Sequence, residues 1–358
     1  MNIEGQAAAV RFDGVSKHYG PVVAVDRISF EVQAGDLVTL LGPSGCGKTT
    51  TLRLIAGLEM PTSGSVFIGG DDVSRLPASA RDVSMVFQSY ALFPHMTVFE
   101  NVSYGLSVSR ISKAEIRDRA EDGLKLVGLS GYGERLPSEL SGGQQQRVAV
   151  ARALVLEPTV LLFDEPLSNL DAKLRRQVRE EIRELQQSLA LTTVYVTHDQ
   201  EEALAVSDRI IVMRNAEIAQ EGAPTDLYEA PRDLFVADFI GDANVLDAEL
   251  LSRDGGHATI RVGGGMELRL PHRELPAGPV KIAVRPEAVI LETSEDESGF
   301  TATVLKSTYV GSHVEYTLDT GLGEIFVADY RFDAPVPAGS RVRIAFRERG
   351  VTLLEKQS

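Results

Sequence analysis

The chain has 358 residues, of which 51 are Asp or Glu and 36 are Lys or Arg, so its formal net charge is −15. Hydrophobic residues make up 43% and charged residues 24%, which excludes a fibrous or disordered chain, and the length accommodates two domains. The acidic balance disfavours a nucleic-acid partner, because duplex affinity depends on Lys and Arg side chains that neutralise phosphates.

No apolar run approaches the roughly 18 residues that a membrane-spanning helix needs. The N-terminal segment, MNIEGQAAAVRFDG, has neither the basic start nor the apolar run of a signal peptide. We therefore expect the chain to stay in the cytoplasm. Its single cysteine, Cys46, excludes an intramolecular disulfide and a metal site built from several cysteines.

The first 240 residues alternate strand-like and helix-like segments, which predicts an α/β domain with a largely parallel sheet. Short apolar runs predict strands at Leu37–Leu41, Val83–Phe87, Val160–Phe163 and Val194–Val196. Polar or glycine-rich residues follow each run, where an α/β sheet has its ligand-binding loops. Helices are predicted at Thr49–Ala56, Lys113–Val127, Gln144–Leu156 and Asp171–Leu189.

The pattern changes near residue 242, where helical periodicity gives way to short alternating segments. These segments are Ala258–Val262, Val280–Val284, Thr301–Leu305, His313–Leu318 and Arg341–Ala345. Glycine and proline clusters separate them, as in a small β barrel or sandwich. We therefore predict a first domain at residues 8–241 and a small all-β domain at residues 242–358.

The most specific motif lies between the first apolar run and the first predicted helix. It fits the pattern G-x-x-x-x-G-K-[ST], and its residues are Gly42, Pro43, Ser44, Gly45, Cys46, Gly47, Lys48 and Thr49. Its glycines let backbone N–H groups face phosphate oxygens, and the following helix presents its positive end. Lys48 would reach the outer phosphates, Thr49 would ligate Mg²⁺ and Thr50 would add a phosphate contact.

Two acidic residues follow the apolar run at Val160–Phe163. Asp164 would hold Mg²⁺ through water, and Glu165 would orient and polarise the attacking water. Taken alone, the pair leaves an alternative open, in which both acids cap the next helix or lie in solvent.

Further motifs resemble those of the ATP-binding-cassette (ABC) ATPases. The segment Leu140–Arg147, LSGGQQQR, is similar to the family signature and lies between the phosphate-binding loop and the acidic pair. Tyr19 resembles the aromatic residue that stacks on adenine, and Gln88 resembles the Q-loop glutamine. Ser168–Asp171 is similar to the D-loop, and His198 to the switch histidine.

The resemblance implies an ATPase that binds MgATP and works as a homodimer. An LSGGQ turn exposes N–H groups and a hydroxyl at a helix start, which makes a second anion site. In the family this turn meets ATP held by the opposite subunit. The residues implied in nucleotide contact are thus Tyr19, the loop Gly42–Thr50, Ser141, Gly142, Gly143, Gln144 and Asp171. Thr49, Gln88 and Asp164 are the implied Mg²⁺ ligands, and Glu165, His198 and Gln88 the catalytic residues.

The apolar segment after Gln88 implies a membrane partner. In ABC importers, the groove beside the Q-loop receives a coupling helix of the transmembrane permease, so we expect Gln88–Thr97 to meet one. The chain would then lie peripherally on the cytoplasmic side of the inner membrane and serve an extracytoplasmic solute-binding protein indirectly. In the alternative, Leu92, Phe93 and Met96 pack into the domain, and both readings can hold at once.

The C-terminal segment, with Ala283–Glu287 and Tyr309–Ser312, resembles the TOBE (transport-associated OB) domain of importer ATPases. The implied fold is a P-loop NTPase cassette with a helical signature subdomain, followed by a small all-β, OB-like TOBE domain. This domain would serve dimerisation and stability, and binding of a regulatory ligand is the alternative.

The implied function is solute import driven by ATP hydrolysis. Likeness at Val178–Ile182 and Tyr195–Met213 favours ferric iron or polyamine, with sugar, phosphonate and sulfate as alternatives. A soluble ABC ATPase of DNA repair or translation is a second hypothesis, but the chain has no inserted coiled coil or second cassette. A regulator without turnover is a third, which the presence of Glu165 and His198 disfavours.

One departure from the family lies in the hairpin after Ile210–Met213. Family members usually have a glycine there, whereas this chain has Arg214-Asn215-Ala216-Glu217. Asn tolerates the left-handed conformation, but Ala216 with a positive φ would be strained. We expect a turn of a different type.

Overall fold

The computed structural model describes residues 7–109, 111–271, 275–292, 300–321 and 323–354. The chain divides into two compact units, with the division between Pro224 and Thr225. The domain boundary between residues 241 and 242, inferred from the sequence pattern, stays a prediction. Within the described residues, no helix is long and apolar enough to cross a membrane.

The first unit alternates strands and helices. Its strands are β1 (Val10–Tyr19), β2 (Val22–Val32), β3 (Leu37–Leu41), β4 (Ser63–Ile68), β5 (Asp71–Asp72), β6 (Val83–Val86), β7 (Val160–Asp164), β8 (Thr192–Thr197), β9 (Arg209–Arg214) and β10 (Glu217–Gly222). Its helices are α1 (Lys48–Ala56), α2 (Val98–Ser107), α3 (Lys113–Leu126), α4 (Gly142–Leu154), α5 (Ala172–Leu189) and α6 (Gln200–Val206). The four strands and four helices predicted from the sequence are all present, with ends shifted by at most a few residues.

Two sheets form the framework of this unit. One has the strand order β10-β9-β3-β8-β7-β6, in which all neighbours are parallel except the β10–β9 hairpin. The other has the order β2-β1-β4-β5 and is antiparallel. Every residue of β3 and of β8 is buried, because helices and the second sheet cover the parallel strands on both faces.

Three helices form a subdomain of their own. Helices α2, α3 and α4 pack around a core that includes Val102, Leu124 and Val148, each at most 3% exposed. Helix α4 begins with the LSGGQ residues, so this subdomain carries the signature.

The hairpin that departs from the family pattern contains two left-handed residues. Asn215 and Ala216 have φ angles of 50° and 69°, as the two central residues of a type I′ turn require. Arg214 pairs with Glu217 across the turn, and the Asp26 N–H donates to the Ala216 carbonyl at 2.8 Å. The backbone of β2 thus holds Ala216 in a conformation that its Cβ disfavours, and the expectation of a different turn type is wrong.

Replacing Ala216 with Gly should therefore stabilise the protein. The left-handed conformation costs about 1–2 kcal/mol for a residue with a Cβ, and Gly removes this cost. The greater freedom of Gly in the unfolded chain destabilises the folded state by about 0.5–1 kcal/mol. We expect a net gain of about 0.5–1 kcal/mol in the free energy of unfolding, measured by denaturant titration. The control Ala114→Gly, on an exposed helical position of α3, should destabilise. A loss of stability in Ala216→Gly would show that the turn is not strained.

The second unit begins with two short helices and continues as strands. The helices are α7 (Pro224–Glu229), which starts at the division, and α8 (Leu234–Phe239). The strands are β11 (Asn244–Asp254), β12 (His257–Val262), β13 (Met266–Pro271), β14 (Gly278–Val284), β15 (Val289–Glu292), β16 (Thr301–Tyr309), β17 (Val314–Asp319), β18 (Glu324–Asp329), β19 (Arg341–Phe346) and β20 (Val351–Leu354). They form two antiparallel sheets, ordered β13-β12-β11-β14-β20 and β15-β19-β16-β17-β18, around a shared apolar core.

Arg285, within the segment that resembles the TOBE domain, fastens α7 and α8 to these sheets. Its side chain is 2% exposed and donates to the carbonyl oxygens of Tyr228, Ala237 and Ile240. A buried guanidinium needs such partners, because an unpaired buried charge is costly.

Candidate functional site

The predicted catalytic loops meet at one edge of the parallel sheet. Strands β6, β7, β8 and β3 are neighbours in that order, so their carboxyl ends lie side by side. The register pairs Asp164 with Val196 and Leu41 with Thr197. Asp164 is the last residue of β7. Gln88, His198 and the loop Gly42–Thr49, which we call the P-loop, follow the other three strands. Ligand sites of α/β proteins form at such an edge.

Two glycines of the P-loop are required by close backbone approach. A Cβ on Gly42 would lie 2.3 Å from the Met213 carbonyl oxygen, and one on Gly47 would lie 2.4 Å from that of Ala24. Gly47 also has a φ of 109°, which favours glycine. The loop is thus wedged between β9 and β2 as the chain enters α1.

Lys48 and Thr49 occupy the end of the P-loop where α1 begins. Lys48 is 6% exposed, and its ammonium donates to the carbonyl oxygens of Gly42 and Pro43 at 2.7 and 2.9 Å. The Thr49 hydroxyl donates to Asp164 Oδ1 at 3.4 Å. The lysine charge therefore lies within the curve of the loop, beside a hydroxyl and a carboxylate.

The pair formed by Thr49 and Asp164 fits a Mg²⁺ site of the phosphate-binding kind. Mg²⁺ takes oxygen ligands, commonly one or two carboxylates with phosphate oxygens and water. Among the residues that the structure describes, no group of three or more His, Cys, Asp or Glu side chains could hold a metal. A Mg²⁺ ion here would therefore depend on oxygens of the nucleotide and of water.

Burial raises the pKa of the Asp164 carboxyl, and the neighbouring Glu165 charge raises it further. The charges of Arg53 and Lys48 and the hydrogen bond from Thr49 lower it in part. The ionised carboxylate is thus unfavourable in the folded protein until a cation pairs with it. Binding of a cation and protonation compete for the same group.

Asp164→Asn should stabilise the nucleotide-free protein while removing metal-dependent hydrolysis. Since the folded pKa lies above the unfolded value, the native state loses stability as the pH rises through that pKa. We expect the variant to raise the Tm by about 2–4 °C at pH 7 and by nothing at pH 3, where the carboxyl is protonated in both states. Calorimetry at the two pH values checks this, and a lower Tm at pH 7 would contradict it.

His198 and Gln88 both contact one carboxylate oxygen of Glu165. Oε2 of Glu165 lies 3.2 Å from Nδ1 of His198 and 3.3 Å from Nε2 of Gln88. Glu165 has a φ of 45°, and its N–H donates to the Val196 carbonyl at 3.0 Å. A left-handed glutamate is strained, and such strain is common where a side chain must be aimed at a reaction site. The structure thus brings the three predicted catalytic residues together.

Two residues that the sequence did not single out for a role orient Gln88. The Ser168 hydroxyl accepts from Nε2 of Gln88 at 3.1 Å and donates to the Glu165 carbonyl at 3.0 Å. The Asn169 amide donates to the Gln88 carbonyl at 2.9 Å. The segment Ser168–Asp171, the D-loop, is therefore bonded to the catalytic residues. Its small polar residues, three and four positions after Glu165, were the available signal.

Tyr19 lies at the β1–β2 hairpin, and β2 contacts the P-loop. Its side chain is 43% exposed, and the Lys17 ammonium lies over its ring at 4.8 Å from the centroid. Lys17 pairs with Glu59 at 2.8 Å. The ring is thus supported and open to solvent, as a stacking platform for a base requires.

The signature residues form the start of α4. Ser141 is the N-cap: its hydroxyl accepts from the Gln144 N–H at 3.4 Å, and the Gln144 side chain accepts from the Ser141 N–H at 2.9 Å. This turn, Ser141–Gln144, packs on the D-loop side, where Cβ atoms on Gly142 and Gly143 would lie 3.1 and 3.0 Å from Leu170 and Leu174. We call it the signature turn.

Asp171 has a structural contact of its own. Its carboxylate accepts from the Leu174 N–H at 3.0 Å and caps α5. A nucleotide contact by Asp171 stays a prediction.

The segment Gln88–Thr97 is partly packed and partly open. Tyr90 is 6% exposed, whereas Phe87, Tyr104 and Leu156 are more than a third exposed around an open groove of about 450 Å³. The segment thus packs inward at Tyr90 and borders an apolar groove. Its contact with a permease stays a prediction.

Buried Asn101 and partly buried Arg152 shape this segment, and neither was singled out from the sequence. The Asn101 amide bonds with Phe93, Met96 and Thr97 backbone groups at 2.8–3.1 Å. Arg152 donates to the carbonyl oxygens of Tyr90 and Ala91 at 2.9 and 2.7 Å. No local pattern marked either residue, because both lie on helices that carry other polar side chains.

Comparisons with known proteins bear on both units. The ABC transporter family matches residues 25–168, and the TOBE domain family matches residues 282–354. A protein of Brucella abortus (strain 2308) named Fe(3+) ions import ATP-binding protein FbpC is 59% identical over 97% of this chain and 98% of its own length. Proteins of the same name are 59% identical in Rhizobium etli, over 96% and 97% of the two chains, and 52% in Vibrio cholerae, over 85% and 86%.

A solved structure resembles the cassette. The dimeric post-hydrolysis state of the ATP-binding cassette MJ0796, bound to ADP and Pi, is 33% identical and has a TM-score of 0.54. It covers 60% of this chain and 98% of its own. The resemblance found in the sequence motifs is thereby confirmed, and the chain belongs to the ABC transporter family as an ATP-binding protein, an ABC ATPase with a C-terminal TOBE domain.

Proposed function

We propose that this chain is the ATP-hydrolysing subunit of an ABC importer for ferric iron, with MgATP bound at the P-loop edge of the parallel sheet. The observation that carries the proposal is the convergence of His198 and Gln88 on one carboxylate oxygen of Glu165. A carboxylate held this way can orient an attacking water molecule and accept a proton from it.

Each residue of the site has a defined task in hydrolysis. The P-loop N–H groups and Lys48 bind the phosphates, and Tyr19 stacks on the base. Thr49, Asp164 and Gln88 would hold Mg²⁺, which would neutralise charge on the phosphates. Glu165 orients the water, and His198 steadies Glu165 and reaches toward the terminal phosphate.

A homodimer completes the site in this proposal. The signature turn offers N–H groups and the Ser141 hydroxyl at the start of α4, which suits an anion held by another subunit. The solved structure of the MJ0796 cassette is dimeric, which supports this arrangement. Hydrolysis would then depend on closure of two chains.

The groove beside Gln88–Thr97 is the proposed contact with a membrane permease. Its exposed apolar rim suits a short amphipathic helix. The chain would thus act peripherally on the cytoplasmic side of the membrane, downstream of an extracytoplasmic solute-binding protein. The TOBE domain would serve dimerisation and stability.

The names of the relatives support ferric iron as the solute. All three relatives described above are named for Fe(3+) import, and the Brucella protein matches this chain over nearly its full length. Polyamine, sugar, phosphonate and sulfate are the alternatives.

The test is hydrolysis by the full chain assembled with its permease and solute-binding protein in proteoliposomes. Binding protein loaded with Fe³⁺ should stimulate hydrolysis several-fold and drive uptake of ⁵⁵Fe, whereas spermidine should do neither. Stimulation by another solute would overturn the assignment of ferric iron and would leave the importer role in place. Hydrolysis that no permease or solute changes would overturn the importer role in favour of a soluble ATPase.

A further inference from the structure

One guanidinium joins two loops of the site. Arg175, near the start of α5, donates from Nη2 to the Leu170 carbonyl of the D-loop at 3.2 Å. Its Nη1 donates to Oδ2 of Asp199 at 3.2 Å, in the segment Thr197–Asp199 that carries His198 and that we call the switch loop. A guanidinium is a planar fork, so the two acceptors are held at a fixed separation.

On the D-loop side, Leu170 is wedged against the signature turn. It is 6% exposed, and a Cβ on Gly142 would lie only 3.1 Å from its Cδ2 atom. The interior of a protein is close-packed, so a displacement of the signature turn must move Leu170. The Leu170 carbonyl that Arg175 holds would move with it.

On the switch-loop side, Asp199 belongs to a buried network. Its Oδ1 accepts from the Glu202 N–H at 3.1 Å, and its own N–H donates to the Thr197 hydroxyl at 3.0 Å. The Thr197 hydroxyl donates to Glu202 at 2.8 Å, and Glu202 Oε1 lies 3.8 Å from Arg175 Nε. Residues 197 and 199 are thus held on both sides of His198.

We propose that Arg175 is a positioning residue that transmits the position of the signature turn, through the D-loop, to His198. The inference rests on the proposed function, because it assumes that the signature turn meets nucleotide in a second subunit. Docking of that turn on ATP would then adjust His198 and Glu165 within the same chain. Nucleotide held by one subunit would in this way influence catalysis in the other.

Arg175→Met should lower kcat and leave nucleotide affinity unchanged. A catalytic group misplaced by about 1 Å can cost about 100-fold in rate, and we expect kcat to fall about tenfold with KM for ATP within twofold of wild type. The Tm should change little, since a partly exposed ion pair contributes about 1 kcal/mol or less. The matched control is Arg176→Met, because Arg176 is exposed and pairs with Glu180 one turn away at 3.3 Å.

A double-mutant cycle with Asp199→Asn separates a link from a general structural effect. Asn keeps the size and capping ability of Asp199 and removes its charge. Each single variant should lower kcat, and the double variant should be no slower than the slower single, because both break one connection. Additive losses, or wild-type kcat in a folded Arg175→Met, would overturn the inference. Absence of hydrolysis in the wild-type chain would instead overturn the proposed function.

Discussion

Glu165→Gln should abolish ATP turnover while preserving ATP binding. Gln is isosteric with Glu but cannot accept a proton from water, and loss of a general base costs about 10²–10⁴-fold in rate. The same change removes a charge that helps to raise the pKa of Asp164. We expect kcat to fall at least about 100-fold and the ATP-bound dimer to accumulate, measured by phosphate release and by size-exclusion chromatography with MgATP.

The control for this substitution is Glu201→Gln. Glu201 is an exposed residue in the first turn of α6, three positions after His198. Its substitution removes one negative charge near the site and should leave kcat within twofold of wild type. Turnover within twofold of wild type in Glu165→Gln would show that another group activates the water.

Lys48→Ala should lose nucleotide affinity by about 10- to 140-fold. A hydrogen bond from a charged group contributes about 1.5–3 kcal/mol, and each 1.4 kcal/mol is a tenfold change in Kd. Lys48 also donates to the Gly42 and Pro43 carbonyl oxygens, so its removal should loosen the P-loop before any nucleotide binds. Equilibrium titration with a fluorescent ATP analogue measures the affinity.

A comparison with Lys48→Arg distinguishes charge from geometry. Arg keeps the positive charge, but its planar guanidinium is larger than an ammonium. It must fit into the buried position of Lys48, a residue that is 6% exposed. We expect affinity between that of Lys48→Ala and wild type. Wild-type affinity in Lys48→Ala would contradict the assignment of the P-loop as the phosphate site.

Local patterns were enough to predict the strands and the P-loop. The run Leu37–Leu41 is fully apolar apart from Thr39, and it is the buried strand β3 with the same bounds. Gly42 and Gly47 were assigned to a tight phosphate-binding turn because few other functions need glycine at that spacing. These features depend on neighbours in the chain, so sequence order alone carries them.

Contacts between distant residues escaped the sequence analysis. Asn101 and Arg152 are unremarkable polar residues along their helices, yet they hold the backbone of residues 90–97. Arg175 lies on a helix rich in charged side chains, and its role depends on partners 5 and 24 positions away. Nothing in the spacing of these residues distinguishes them from a solvated helical face.

The sequence by itself determined the class of fold and the order of the motifs, and it predicted the residues that carry chemistry, because each motif is a short contiguous segment with its own backbone requirement. Only the tertiary structure decided which of them touch. The parallel order β6-β7-β8-β3 brings Gln88 and His198 to one carboxylate oxygen of Glu165, although Gln88 and His198 are 110 residues apart. Such convergence depends on the pairing of strands, which is a property of the folded chain and not of any one segment.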